Sequence, residues 1–145
     1  MYKALDIARY IIERCREKNR TVSNLKLQKI LYFVQAEFLV TKNQPCFAET
    51  IEAWDFGPVV PEVYYEYRMY GSANIPCIGK SRVNQLISAR DKKILNGIID
   101  ECSRYSASAL VEITHNQTPW AEAYNQAGYN NEITAESIKD YFVEG

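Results

Sequence analysis

The sequence predicts a mainly α-helical fold, a compact single-domain bundle of about six helices with a small antiparallel β ribbon. Three observations carry this. Residues 23–39 hold the longest uninterrupted helical pattern, several further stretches repeat apolar residues at helical spacing behind recognisable N-caps, and only residues 50–54 alternate with a period of two, with one further short extended piece. The chain has 145 residues, which fits one domain and can bury a core without a disulfide or metal.

The first helix is expected over residues 3–16, with Ala4, Ala8, Ile11 and Cys15 on one face and Leu5, Ile7 and Ile12 widening it. Arg14, Arg16 and Lys18 gather at its C-terminal end, where cations favour the last carbonyls. The next helix opens at Ser23 as N-cap. Leu27, Leu31, Val34 and Phe38 step by four, three and four, and Ile30 and Phe33 broaden the stripe. So wide an apolar face requires a central position with neighbours on both flanks. Lys26 and Lys29 lie in its first two turns, the unfavourable end for a positive charge, and are three apart. Either they pair with acidic side chains from elsewhere or they serve a partner.

Residues 50–54 alternate as a short strand, ended by Asp55, Phe56, Gly57 and Pro58. Pro61 is suited to the first position of a third helix, in which Val63, Tyr67 and Tyr70 share a face and Gly71 provides the stop. A second extended piece at residues 75–78 is the expected partner of the first strand, with Pro76 confining it to an edge. Residues 82–86 read as a linker or a continuation of that ribbon. Ser88 and Asp91 have the spacing of a capping box ahead of the stripe Ile94, Leu95, Ile98, Ile99 and Cys102. Ser106 caps a short helix over residues 107–114. Thr118 is the expected N-cap, with Pro119 at the first position, of a helix reaching Gln126, and a last helix runs from Ala135 to about Val143.

Charge is balanced overall, at a net of -1, but not along the chain. Residues 1–45 hold nine Lys or Arg against four Asp or Glu, and residues 95–145 hold two against eight. The two ends attract each other across the fold, or both are solvated faces, or the basic start meets an acidic partner or a phosphate backbone. No apolar run is long enough to span a bilayer and no leader pattern opens the chain, so a cytoplasmic protein without membrane contact is expected. Cys15, Cys46, Cys77 and Cys102 are far apart in sequence and form no paired motif, which points to free buried thiols rather than a zinc site.

Enzyme signatures are poor, and neither catalytic residues nor a cofactor are expected. There is no phosphate-binding glycine loop and no nucleophile elbow. His115 is the only imidazole; as a general base it needs a cysteine or serine beside it, and otherwise it bonds the last carbonyls of its helix. Trp54 and Trp120 each lie beside a Pro-containing break, as walls of an aromatic groove or as buried anchors. With no recognition helix and no aromatic RNA-binding motif, nucleic acid is not the expected partner.

Three ordered segments carry a family resemblance. They are residues 23–32 (SNLKLQKILY), with Leu27, Leu31 and Tyr32; residues 52–61 (EAWDFGPVVP), with Trp54 and Pro61, followed by Tyr64; and Leu110 with Thr114, His115, Pro119 and Trp120. Together they resemble the Panacea (SocA-like) domain, often described as a phage-associated protein. The resemblance implies an antitoxin that neutralises a cognate protein toxin by direct contact, encoded on a prophage or other mobile element, with a branch that also delivers its toxin to a AAA+ protease as an adaptor. The contact surface expected on this chain is Lys26 and Lys29 with Asp55, Phe56, Gly57 and Pro58, while the other motif residues are expected to be structural. The alternative is a DNA-binding repressor that regulates its own operon, motivated by the basic first third.

Overall fold

In a computed structural model, which describes residues 1–79 and 81–144, helices account for most of the chain and strands for little of it. The helices are α1 (Ala4–Glu17), α2 (Asn24–Lys42), α3 (Pro61–Tyr67), α4 (Val83–Leu86), α5 (Ala89–Cys102), α6 (Ala107–His115), α7 (Thr118–Tyr124) and α8 (Ala135–Glu144). The strands are β1 (Ile51–Trp54), β2 (Gly57–Val59) and β3 (Glu132–Ile133).

Helix α2 is the axis of the molecule. Ser23 accepts a hydrogen bond from the Lys26 amide and starts it, and Asn43, at φ +57°, ends it one turn later than residue 39. Burial continues nearly all round the helix. Leu27, Ile30, Leu31, Val34 and Phe38 are buried as the apolar stripe requires, but so are Asn24, Gln28, Lys29 and Gln35. A buried polar group needs a hydrogen-bond partner, and each of these four has one. Helices α1, α3, α5, α6 and α8 and strand β2 surround α2.

The ribbon is built from other segments than expected. Strand β1 lies in the middle of a three-stranded antiparallel sheet in the order β2-β1-β3, with Trp54 opposite Gly57 and Ile51 opposite Ile133. Asp55 and Phe56 therefore form a two-residue hairpin turn, and the Gly-Pro that reads as a strand end begins the next strand instead. Pro58 is tolerated because β2 is an edge. Residues 75–78 do not join the sheet. Asn74 bridges Ser23, and the Ile75 amide donates to the Val22 carbonyl, which docks this stretch at the start of α2. Residues 83–86 are a short helix, not a ribbon. A two-residue strand such as β3 leaves no periodic signal to read.

Caps follow the sequence with two corrections. Ser88 and Ser106 accept from the amides three residues on, as expected. The reciprocal half of the Ser88 box is absent, because the Asp91 carboxylate instead accepts from Lys42 at 2.8 Å and from the Tyr2 hydroxyl at 2.5 Å. Helix α7 is capped by Gln117, so Thr118 is its first residue and Pro119 its second, and it stops at Tyr124 rather than Gln126.

The basic start and the acidic end do meet. Arg14 and Arg20 both bind the Asp100 carboxylate at 2.8 Å. Arg9 and Arg16 donate to the carbonyls of residues 77–79, which pins the loop after α3 against α1. Much of the positive charge of the first third is thus engaged within the fold. No helix among the described residues is long and apolar enough to cross a membrane.

Candidate functional site

The β1–β2 hairpin is fixed from below by α2. Lys29 is wholly buried, and its Nζ donates to the Pro58 carbonyl at 2.7 Å. One residue earlier, the Gln28 amide oxygen accepts from Val60 N–H at 2.9 Å, while its nitrogen donates to Asn24, which in turn donates to the Tyr64 carbonyl. These side chains serve the strand exit and the start of α3 together. Gly57 lies over the lysine at φ +107°, where an added Cβ would sit 2.6 Å from Lys29 Cε and 2.9 Å from Thr114 Oγ1. Only glycine fits that backbone and that gap. Burial pulls the Lys29 amine down to about 7.

Lys26 and Lys29 consequently do not form a common exposed face. Lys26 is half-buried, and its charge acts on Cys15 and Cys102. Lys29 points inward, and its ammonium lies 5.7 Å from the Phe56 ring centroid. The expectation that Lys29 is available to a partner is corrected: hydrophobic neighbours and one carbonyl enclose it. Spacing alone did not signal this, since Lys29 lies on the side of the helix away from Leu27, Leu31 and Phe38, and only the packing of β2 and α6 over that side buries it.

Above the hairpin the aromatic residues gather. Trp54 packs edge-on against Tyr64 at 4.9 Å and Phe56 at 5.8 Å, and Tyr65 closes the row. Behind them, His115, Trp120 and Tyr124 stack with successive spacings of 4.0 and 4.5 Å. Two hydrogen bonds join the groups: Trp120 Nε1–H donates to the Trp54 carbonyl at 2.8 Å, and the Tyr124 hydroxyl donates to Asp55 Oδ1 at 2.6 Å. Between the hairpin and the loop that follows α7 lies a cleft of about 500 Å³, lined by Trp54, Asp55, Phe56, Tyr124, Tyr129 and Asn130 among others. The two tryptophans are therefore joined through backbone and split in role: Trp120 is buried, and Trp54 forms part of a wall.

His115 does not bond the helix-end carbonyls as expected. Asn116 and Thr114 take those of Glu112 and Val111. The His115 ring lies on Trp120, and its Nε2 is buried without a hydrogen-bond partner. That nitrogen activates no serine or cysteine here. Among the described residues no group of three His, Cys, Asp or Glu is placed to hold a metal ion.

Leu27, Leu31 and Tyr32 are buried in α2, and the Tyr32 hydroxyl donates to Gln117 at 2.7 Å. Pro119 is buried with Trp120 in α7, and Pro61 opens α3 as expected. Tyr124, Tyr129 and Asn130, which complete the cleft, were not foreseen. They sit at a helix end and in an irregular loop, where no periodicity marks a residue as facing a site.

A family model described as antitoxin SocA-like, Panacea domain, matches residues 27–121. That span begins in α2 and ends in α7, so it takes in Gln28, Lys29, the hairpin, His115 and Trp120 and leaves out Asn24 and Tyr124. The chain belongs to the SocA-like Panacea family. Among curated proteins, it is 34% identical to Antitoxin SocA of Caulobacter vibrioides (strain NA1000 / CB15N), over 94% of this chain and 80% of that protein. No solved structure matches it. Of the positions of this Panacea chain that carried the resemblance, Gln28 and Lys29 hold the hairpin exit, and Ala53, Trp54, Asp55 and Phe56 line the cleft.

Proposed function

We propose that this protein is an antitoxin that binds and blocks a cognate protein toxin by direct contact, without catalysis of its own. The observation that carries this reading is the identity to Antitoxin SocA along nearly the whole chain. Lys26 and residues 55–58 contribute to the contact surface. Of these, Asp55 is exposed, Lys26 and Phe56 are half-exposed, and Gly57 and Pro58 present the turn from beneath. Lys29 takes part only by holding that turn. The protein acts in the cytoplasm as a single folded domain.

The test is co-expression. Open reading frames adjacent to the gene are induced singly, and one that arrests growth is then paired with this protein. Rescue of growth and a stoichiometric purified complex are expected. Lys26→Glu weakens the complex while leaving the thermal midpoint nearly unchanged, and Asp55→Arg weakens it with a small fall in midpoint from the lost Tyr124 hydrogen bond. A toxic neighbour that is never relieved, or one relieved with no complex formed, defeats the reading. Delivery of the toxin to a AAA+ protease is a second role consistent with the family; it requires that toxin turnover by the purified protease depend on this protein.

A further inference from the structure

The cleft beside the hairpin has a composition that selects its occupant. Its lining is rich in aromatic rings: Trp54 and Phe56 from the hairpin, Tyr124 and Tyr129 from α7 and the loop after it. Tyr129 is 85% exposed, so its ring is open to an incoming group. The charged group in the lining is Asp55. One of its carboxylate oxygens accepts from Tyr124, and no salt bridge reaches it among the described residues.

The two segments that line the cleft carry one sign of charge, with Lys29 buried beneath Phe56 and Arg68 on Tyr65 as the cations beside them. Residues 51–67 contain Glu52, Asp55, Glu62 and Glu66 and no Lys or Arg; residues 105–138 contain Glu112, Glu122, Glu132 and Glu136 and no Lys or Arg. These two segments supply the cleft and its margins. A ring quadrupole attracts a cation over its face, and a carboxylate takes a guanidinium through charge-assisted hydrogen bonds. The aromatic row already does this once, with the chain's own Arg68 guanidinium lying 5.3 Å from the Tyr65 ring centroid.

We infer that the cleft between Trp54, Asp55 and Tyr129 receives an arginine side chain from a basic segment of a protein partner. The guanidinium plane stacks between the aromatic walls and its N–H groups meet Asp55. Arginine is favoured over lysine because it is planar, more weakly hydrated and forked. This deepens the antitoxin reading and rests on it for the partner's identity, though not for the chemistry of the cleft. The basic residues of the toxin that enter here are then shielded from their own target.

The experiment titrates the full chain with short capped peptides carrying two arginines, two lysines or two glutamates between glycines, and with a single-stranded oligothymidylate. The indole N–H signals of Trp54 and Trp120 are followed by NMR. Saturable movement of the Trp54 signal by the arginine peptide is expected, several-fold weaker response to lysine, and none to glutamate or the oligonucleotide. Asp55→Asn, which keeps an oxygen to accept from Tyr124, weakens the arginine response by about tenfold, the size expected for one charge-assisted bond. Tyr129→Ala weakens it by about threefold.

No saturation at millimolar peptide, an equal response to glutamate, or indifference to Asp55→Asn overturns the inference. So does binding of the oligonucleotide, or a concentration-dependent shift without peptide that Asp55→Asn abolishes, which makes a second copy the occupant. Growth rescue without arginine binding retires the cleft and leaves the antitoxin standing. Arginine binding without any rescued toxin does the reverse.

Discussion

Lys29 Nζ donates to the carbonyl of Pro58 at 2.7 Å, and this buried amine lies directly beneath the exposed hairpin turn. Gly57, packed over the same side chain, admits no Cβ. Gly57→Ala is expected to lower unfolding stability by about 2–4 kcal/mol, from backbone strain together with a forced shift of Lys29 and Thr114. Gly97, mid-helix in α5 with open space around it, carries the opposite sign: Gly97→Ala is expected to add about 0.5–1 kcal/mol. Urea unfolding of both variants checks the pair.

The lowered pKa of Lys29 makes a prediction about pH. Its amine falls from 10.5 to about 7 on folding because burial disfavours the charge. Between pH 7 and 10.5 the unfolded chain therefore holds a proton that the folded chain has released, so this group's contribution to stability rises with pH across that window and is flat below it. The buried Cys46 and Tyr32, raised by burial, act in the opposite sense at high pH. Comparison with Lys29→Met cancels their effect. The stability difference between wild type and variant should widen in favour of wild type from pH 7 to pH 10; an equal difference at both ends would show that the folded lysine keeps its proton.

The four thiols should separate into two classes. Cys15, Cys46 and Cys102 are buried, and burial pushes the Cys102 thiol up to about 12, whereas Cys77 is half-exposed. A colourimetric disulfide reagent at neutral pH should titrate one thiol in the native protein and four in denaturant. Fast reaction of more than one native thiol contradicts this packing.

His115 should matter for stability and not for activity. Its ring covers Trp120 at 4.0 Å and its Nε2 has no partner. His115→Ala should cost about 1–2 kcal/mol through the lost stack and the space left behind. Growth rescue should persist at temperatures below the lowered midpoint. Loss of rescue with an unchanged midpoint would instead give the imidazole a direct role.

Where residues repeat with a period, the sequence was readable. The apolar stripe of α2, the serine caps of α2, α5 and α6, and Pro61 at the head of α3 all stand where spacing and capping chemistry put them. A small antiparallel sheet and its strand β1 were readable from the alternation at residues 50–54, but the partners of β1 were not, because the pairing rests on a two-residue turn and a two-residue strand from a distant part of the chain. The site was half readable. Residues 54–58 form a surface turn over a buried lysine, but the opposite wall at Tyr124 and Tyr129 arises from tertiary contact alone. The polar residues inside α2 were the strongest unread clue, since a helix carrying Asn24, Gln28, Lys29 and Gln35 among its core positions must hold something with them.

What they hold sets an order of events during synthesis. Gln35 waits for residues 46 and 47, Lys29 for residue 58, Gln28 for residue 60, and Asn24 for residue 64. Tyr32 waits longest, since Gln117 follows it by 85 residues. At ribosomal speeds of roughly 5–20 residues per second, that is an interval of about 4–17 seconds. Throughout it, the central helix is on the nascent chain with part of its polar clasp unfilled, and a newly made molecule cannot show its finished surface until the last loop arrives.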